Sequence, residues 1–385
     1  MDLKDLKDKY AIAGIGYTPQ GVVPGRTALS FYIEACANAI KDAGLKSDDI
    51  DGLICYRTFP GLLGEDEVTT YLLAEHLGIS PTTLSQEANC CRGQLLHAMC
   101  WLELGLCKHV LIVYADNAAT SGRLDVGHTA ADNGVFGHFG YKSRYAMAAR
   151  RAMHLYGTGP HVWREIAVGQ RQWANLNPIA IKYNEPLTYE DYDNSAYTEE
   201  PFRIEDLFIP TDGGRACIVT SLERAHNLRN PPAVIMGTGQ GNPSRDYTCM
   251  EQPTGAKLSG KIALEMASIK LEDIDACEIY DCFTSTVDST LKDYGFYGPG
   301  EALDWFKGGT ITPGGRMPVN TSGGLLYEAY YMGLGPLTEA AMQLMGRCGE
   351  RQLGPKTNTK QPEIILCSDN GGLYQTCATT ILRRL

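Results

Sequence analysis

Cys90 and Cys91 stand side by side in the turn Asn-Cys-Cys-Arg-Gly at 89 to 93, which runs into a helix predicted over 93 to 104. A thiol at a helix N-terminus feels the positive end of the macrodipole and the unpaired N–H groups of the first turn. Both favour the thiolate, the nucleophilic form. A plainer role as small packing residues competes with this, because the chain holds 13 cysteines. Those cysteines form no regular CxxC pairs, and no zinc-ligand spacing occurs, so no metal site is expected. Two Gly-x-Gly runs, AIAGIG at 11 to 16 and AVIMGTG at 233 to 239, invite a dinucleotide-binding reading. Pro19 stands where the first fingerprint needs its third glycine, and the second lacks the full spacing. Tight strand-to-helix turns account for both glycine pairs.

The elements that carry these residues come twice. AGLKSDDIDGLICY at 43 to 56 and ASIKLEDIDACEIY at 267 to 280 share Ala, Lys, Asp, Ile, Asp and Tyr at equivalent places. Each follows one of the Gly-x-Gly strands, so an offset of about 223 residues holds over a whole supersecondary unit. Each is followed by Asn-x-x-x-Gly-x-Leu, in NCCRGQLLHAM from 89 and in NTSGGLLYEAY from 320. A chain of two related halves places its site where they meet. We divide it at 1–230 and 231–385.

The first half reads as a strand over Tyr10 to Ile15, a helix over about Ser30 to Ala43, a strand over Gly52 to Tyr56, a helix over about Thr69 to Leu77, the helix of 93 to 104 and a strand over 108 to 116. Strands alternating with helices imply an α/β protein with a mostly parallel, doubly wound sheet. From about 117 to 210 small residues, histidines and aromatics take over, which marks an insertion above the site. The strand-helix order resumes at TDGGRACIVTS and ends with EIILCSDNGG and the apolar TCATTIL.

With 44% hydrophobic residues and 42 glycines over 385 positions, the chain can bury one large core or two fused ones. A net charge of -11 without any Lys/Arg-rich run excludes a nucleic-acid binder. No apolar run of membrane length and no signal peptide occur, so a cytoplasmic, reducing setting is expected.

The duplicated unit, YDCFT at 280 to 284, NTSGGLLYEAY at 320 to 330 and DNGGLYQTCATTIL at the end of the chain together resemble the thiolase superfamily. The resemblance is strongest to its sterol-carrier-protein-type thiolases and the related lipid-transfer-protein branch. It implies a five-layered αβαβα thiolase fold with an inserted loop domain, a homodimer formed through the first-half sheet, and an active site between the halves beneath the insertion. It matches the family's nucleophilic cysteine to Cys90, with Cys91 second, and includes Asn320 of the NTSGG loop in the site. The branch has His-Asp-Cys-Phe where this chain has Tyr280-Asp281-Cys282-Phe283, and Gly-His-Pro where it has Ala329-Tyr330-Tyr331. Both family histidines are thus tyrosines, and the terminal Cys-Gly-Gly-Gly is altered to Cys367-Ser368-Asp369-Asn370-Gly371-Gly372.

Two mechanisms follow from the resemblance. In a thiolase, Cys90 attacks the keto carbon of a bulky or branched 3-oxoacyl-CoA, the C–C bond breaks to an enolate, and free CoA resolves the acyl-enzyme. Backbone N–H groups at the Cys90 turn and around Gly371 and Gly372 hold one oxyanion, and Tyr280 and Tyr330 donate to the other. A tyrosine with a pKa near 10 is a poor base, so the helix dipole, or His128 or His138 from the insertion, must activate the thiol. In a retro-aldolase of the steroid side-chain type, the tyrosine pair alone moves the protons of a 3-hydroxyacyl-CoA. The thiolase is preferred at this point, because a retained nucleophile has a use in thiolysis and none in retro-aldol cleavage. A non-catalytic acyl-CoA- or lipid-binding subunit is the third reading, disfavoured by the intact NTSGG and NGG loops.

No tightly bound cofactor is expected; CoA enters as co-substrate, contacted by Arg144, Arg150 and Arg151. The branch also implies a separate small partner with an OB-fold and a zinc ribbon, completing a heterotetramer. The insertion's Phe136, Phe139, Tyr141, Trp163 and Trp173 suit an aromatic acyl group, such as a benzoylsuccinyl-like one, or a steroid, unless they pack the insertion's own core.

Overall fold

Each half begins with a glycine-bearing strand against which a helix lies almost in contact. The computed structural model describes residues 2–56, 68–87, 94–121, 140–242, 254–371, 374 and 376–385. The first half runs β1 (Tyr10–Tyr17), α1 (Ala28–Ala43), β2 (Gly52–Tyr56), α2 (Thr70–Leu77), β3 (Thr83–Glu87), α3 (Gln94–Glu103) and β4 (His109–Asn117). The insertion contributes α4 (Ala118–Ser121), α5 (Gly140–Tyr156), α6 (Pro160–Ala174), α7 (Tyr189–Asn194), β5 (Tyr197–Glu199) and β6 (Phe202–Arg203). Then β7 (Asp212–Ser221) and α8 (Leu222–Ala225) lead to the second half. That half runs β8 (Ala233–Gly241), α9 (Ala256–Ala267), β9 (Ala276–Glu278), α10 (Thr284–Tyr294), α11 (Ala302–Phe306), α12 (Gly324–Tyr327), α13 (Leu334–Leu344), β10 (Ile364–Gly371) and β11 (Thr376–Arg383).

Nine strands form one sheet in the order β3-β2-β4-β7-β1-β8-β11-β10-β9. The duplication is visible in that order: β1, β7, β4 and β2 on one side answer β8, β11, β10 and β9 on the other. The halves meet where β1 pairs antiparallel with β8, Ala11 opposite Val234. The counterpart of β3 is reduced to a single parallel bridge between Cys277 and Val319. The expectation of a mostly parallel sheet is corrected: only the β2–β3, β2–β4 and β9–β10 pairs are parallel, and the other five are antiparallel. The reason lies in the connections. Only four residues separate β10 from β11, which allows only antiparallel pairing, and β7 returns from the insertion against the direction of β4.

Helices α1 and α2 cover the first-half strands, α9 and α10 cover the second-half strands, and α3 and α13 lie between. These are the five layers of the thiolase fold. The glycine pairs belong to this packing and form no turn, another correction. Gly14 and Gly16 lie inside β1, where a Cβ would collide with the α1 backbone at Ala39 and Ala35; Gly237 and Gly239 meet α9 at Ala263 and Ser259 in the same way. Among the described residues, no helix is long and apolar enough to cross a membrane.

Candidate active site

Tyr280 follows β9, and Tyr330 follows α12. The Tyr280 N–H donates to Ser368 Oγ of β10 at 3.0 Å, and its carbonyl accepts from Thr286 Oγ1 at 2.9 Å. The Tyr330 N–H donates to Thr211 Oγ1 at 3.1 Å. With both backbones held, the two hydroxyl oxygens stand 2.8 Å apart while the rings sit at 75° to each other. The contact is therefore a hydrogen bond between hydroxyls and not a ring stack.

An extended segment, 207 to 211, leads from the insertion to β7 and ties the two tyrosine-bearing segments together. Leu207 bridges to Phe283, the Phe208 N–H donates to the Cys282 carbonyl at 3.1 Å, and the Ile209 N–H donates to the Leu325 carbonyl at 3.3 Å. The Phe208 ring lies over the Tyr330 ring, centroids 4.2 Å apart. Just before the segment, Asp206 is fully buried and accepts from the Tyr192 hydroxyl (2.9 Å), the Thr284 hydroxyl (2.6 Å) and the Arg203 N–H (2.8 Å). Burial pushes its carboxyl up to about 6 against these bonds.

Asp281 secures the other side. It accepts from the Leu325 and Leu326 N–H groups at 2.8 and 3.3 Å, and burial pushes it up to about 7. Gly324, just before these leucines, has φ +65°, and a Cβ there would overlap the Asp281 carboxylate. Asn320, itself left-handed at φ +55°, accepts the Ile279 N–H on Oδ1 at 2.6 Å and so braces the residue before Tyr280. Glu278 accepts from the N–H and hydroxyl of Thr321, whose hydroxyl also meets Glu339, the buried partner of Arg351. Burial and the neighbouring Glu339 raise the Glu278 carboxyl well above the usual range.

The remaining predicted residues distribute as follows. Cys90, Cys91, Gly372, His128, His138, Phe136 and Phe139 lie outside the described residues. Gly371 ends β10 opposite Thr376 and is buried. Its neighbour Asn370 accepts from the Tyr145 hydroxyl at 3.4 Å. Tyr145 stacks on Phe283 at 4.5 Å, and Tyr141 meets Phe208 and Phe283. Thus α5 brings an aromatic wall up to the tyrosine pair. Trp163 and Trp173 are fully buried, their indoles donating to Asp288 and to the Ile311 carbonyl, and they serve as packing. On α5, Arg144 is half-buried, Arg150 is exposed and paired with Glu200 at 2.9 Å, and Arg151 is exposed. Burial pushes the thiols of Cys277, Cys282 and Cys367 up, which leaves none of these three poised as a thiolate.

Sequence reasoning missed Phe208, Tyr145, Thr211 and Met332. Met332 stands two residues after Tyr330 and Thr211 opens the TDGG run, so both were within reach of motif reading. Phe208 and Tyr145 carry no local signal, because their place depends on how the insertion folds back.

The comparisons with known proteins bear on the family and the fold. Residues 239–384 match the family model described as Thiolase C-terminal domain-like. The chain is 33% identical over 366 residues to the 17-hydroxy-3-oxo-4-pregnene-20-carboxyl-CoA lyase of Mycobacterium tuberculosis, covering 89% of this chain and 92% of that one. It is 32% identical over 376 residues to the steroid side-chain-cleaving aldolase of Thermomonospora curvata, covering 92% and 94%. The solved structure of an Ltp2–ChsH2(DUF35) aldolase is similar at a TM-score of 0.85 and 30% identity over 98% of both chains. Duplicated halves about one sheet, layered helices and similarity along nearly the whole length lead to one assignment: the chain belongs to the thiolase superfamily, in the branch of sterol-carrier-protein-type thiolases and thiolase-like aldolases.

Proposed function

We propose that the protein is a thiolase-fold retro-aldolase that cleaves the Cα–Cβ bond of a 3-hydroxyacyl-CoA with Tyr280 and Tyr330 as its acid–base pair. The observation that carries this reading is the 2.8 Å hydrogen bond between the two hydroxyls. One phenol oxygen takes the proton of the 3-hydroxyl as the Cα–Cβ bond breaks, and the bond's electrons pass to the thioester as an enolate. The other phenol gives its proton to Cα. In the same step a proton crosses the shared hydrogen bond from the first phenol to the second, so both end as neutral phenols, leaving a carbonyl compound and a shorter acyl-CoA. A lone phenol is a poor base at neutral pH, but a phenolate that accepts a hydrogen bond from a second phenol is stabilised.

This reverses the preference for a thiolase that the cysteine turn suggested. The relatives named as a lyase and a steroid side-chain-cleaving aldolase support the change. Cys90 and Cys91 keep the thiolase as the second reading, since a thiol at a helix entry is suited to forming an acyl-enzyme. A steroid side-chain substrate is favoured over a smaller aromatic acyl group, since the wall of Tyr141, Tyr145, Phe208 and Phe283 offers broad apolar faces. Arg144 and Arg151, seven residues apart on one face of α5, are the proposed CoA contacts. The name of the similar aldolase structure includes a second component, ChsH2(DUF35), and a small OB-fold, zinc-ribbon partner is proposed here too. A homodimer through β3 is proposed because that strand is at the sheet edge, paired only with β2 among the described residues.

The test is turnover of matched 3-hydroxyacyl- and 3-oxoacyl-CoA substrates, with and without free CoA, using protein co-expressed with the small partner. CoA-independent cleavage of the hydroxy compound is expected. Cleavage of the oxo compound alone, and only with CoA, would establish the thiolase instead.

A further inference from the structure

Met332 has a left-handed backbone, φ +52°, though it is a long-chain residue. Such a conformation is uncommon outside glycine, asparagine and aspartate, and it persists where the surroundings over-determine it. Here they do. Two residues earlier the Tyr330 N–H is bound to Thr211, and one residue later Gly333 approaches Asp369 so closely that a Cβ would overlap the carboxylate. The Met332 side chain packs against both the central core and the second-half core. Its Sδ lies 3.0 Å from Tyr330 Oη and 3.7 Å from Tyr280 Oη. A thioether accepts a hydrogen bond and cannot donate one. In a contact with sulfur the proton is the phenol's, and the shorter of the two contacts is that of Tyr330, while the bond between the two hydroxyls can run in either direction.

We propose that Met332 is a positioning residue of the tyrosine pair, an inference that rests on the retro-aldolase reading. Its thioether draws the Tyr330 proton away from Tyr280, leaving a Tyr330 lone pair to receive the Tyr280 proton. The two phenols are thereby ordered before substrate arrives. Sulfur is a weak acceptor, so a substrate atom displaces it from Tyr330 at small cost.

The experiment compares wild type, Met332→Leu and Met332→Gln in steady-state kinetics across pH. Leucine keeps the volume and removes the acceptor. Its kcat is expected to fall about tenfold with KM within about twofold, the pattern of a lost transition-state arrangement. The phenol limb of its pH profile should move to lower pH, because a hydrogen bond donated by a neutral phenol holds that phenol's titration up. Glutamine restores an acceptor oxygen and should recover part of kcat; a leucine variant too unstable to assay leaves the glutamine variant to carry the comparison, with wild-type-like order expected. Wild-type kcat and limb in Met332→Leu, or a glutamine variant with less than a tenth of wild-type kcat, would overturn the inference alone. A wild type that fails to cleave the hydroxyacyl-CoA without CoA would overturn the retro-aldolase reading, and the inference with it.

Discussion

The ring of Phe208 lies on the ring of Tyr330 with 4.2 Å between centroids, and three residues further along the same segment Thr211 accepts the Tyr330 N–H at 3.1 Å. One short stretch of chain thus fixes both the ring plane and the backbone of a proposed catalytic tyrosine. Thr211→Val removes the acceptor and leaves the shape, so the half-buried N–H loses its partner at about 1–3 kcal/mol. We expect a fall in kcat of about tenfold, with Thr211→Ser near wild type. Kinetics and urea unfolding of the three proteins together check this.

Tyr280→Phe and Tyr330→Phe each remove one proton carrier and keep the ring. Each should lower CoA-independent cleavage about a hundredfold or more, the range of a lost general acid or base. Because the two act as a unit, the double variant should be little worse than the worse single one. Near-normal turnover in either single variant would contradict the proposed role of that tyrosine.

Gly324→Ala meets two obstacles, the left-handed φ of +65° and the Asp281 carboxylate in the space a Cβ needs. We expect a loss of at least about 2 kcal/mol in unfolding free energy. Activity should fall with it, since this turn leads directly to Tyr330. An alanine variant with the wild-type unfolding midpoint would show that the turn relaxes freely.

Asp206 gives a pH signature. Its folded-state pKa is about 6, raised from the ordinary carboxyl value by burial. The folded protein therefore holds a proton that the unfolded chain has released, and stability falls as pH rises from about 4 through about 6, by about 3 kcal/mol in total. Asp206→Asn cannot titrate, and its amide leaves one acceptor fewer for the Arg203 N–H. The variant should be less stable than wild type at pH 4, and the gap should narrow by pH 7. Denaturant midpoints at the two pH values measure this, and a gap that stays constant would argue against the raised titration.

Local pattern was enough to read the duplication, because its physical content is local. Lys46 donates its N–H to Asp49 and Lys270 to Asp273, both at 2.8 Å, closing the same one-turn cap in each half. Asp51 then accepts from Lys108 and His109 at the start of β4, and Asp275 from Glu363 and Ile364 at the start of β10. A few side chains binding nearby backbone leave a mark that repeats in the chain. The helices α1 and α2 were legible within about two residues for a similar reason, their apolar faces recurring at helical spacing. The strand β3, with the sequence Thr-Leu-Ser-Gln-Glu, was not, since four of its five residues are uncharged polar or acidic side chains without an apolar run.

By itself the sequence determined two related halves, the family they resemble, and tyrosines at two positions where that family has histidines. It did not determine the direction of the central strands, the use of the glycine pairs, or the aromatic wall. Those depend on where the insertion returns and on how closely helices approach the sheet. Only the tertiary structure brings Tyr280 and Tyr330 to 2.8 Å across 50 residues of chain. That distance is decided by groups far from both in sequence, among them Thr211, Phe208 and Ser368, because a hydrogen bond between two side chains requires every backbone segment beneath them to be held at once.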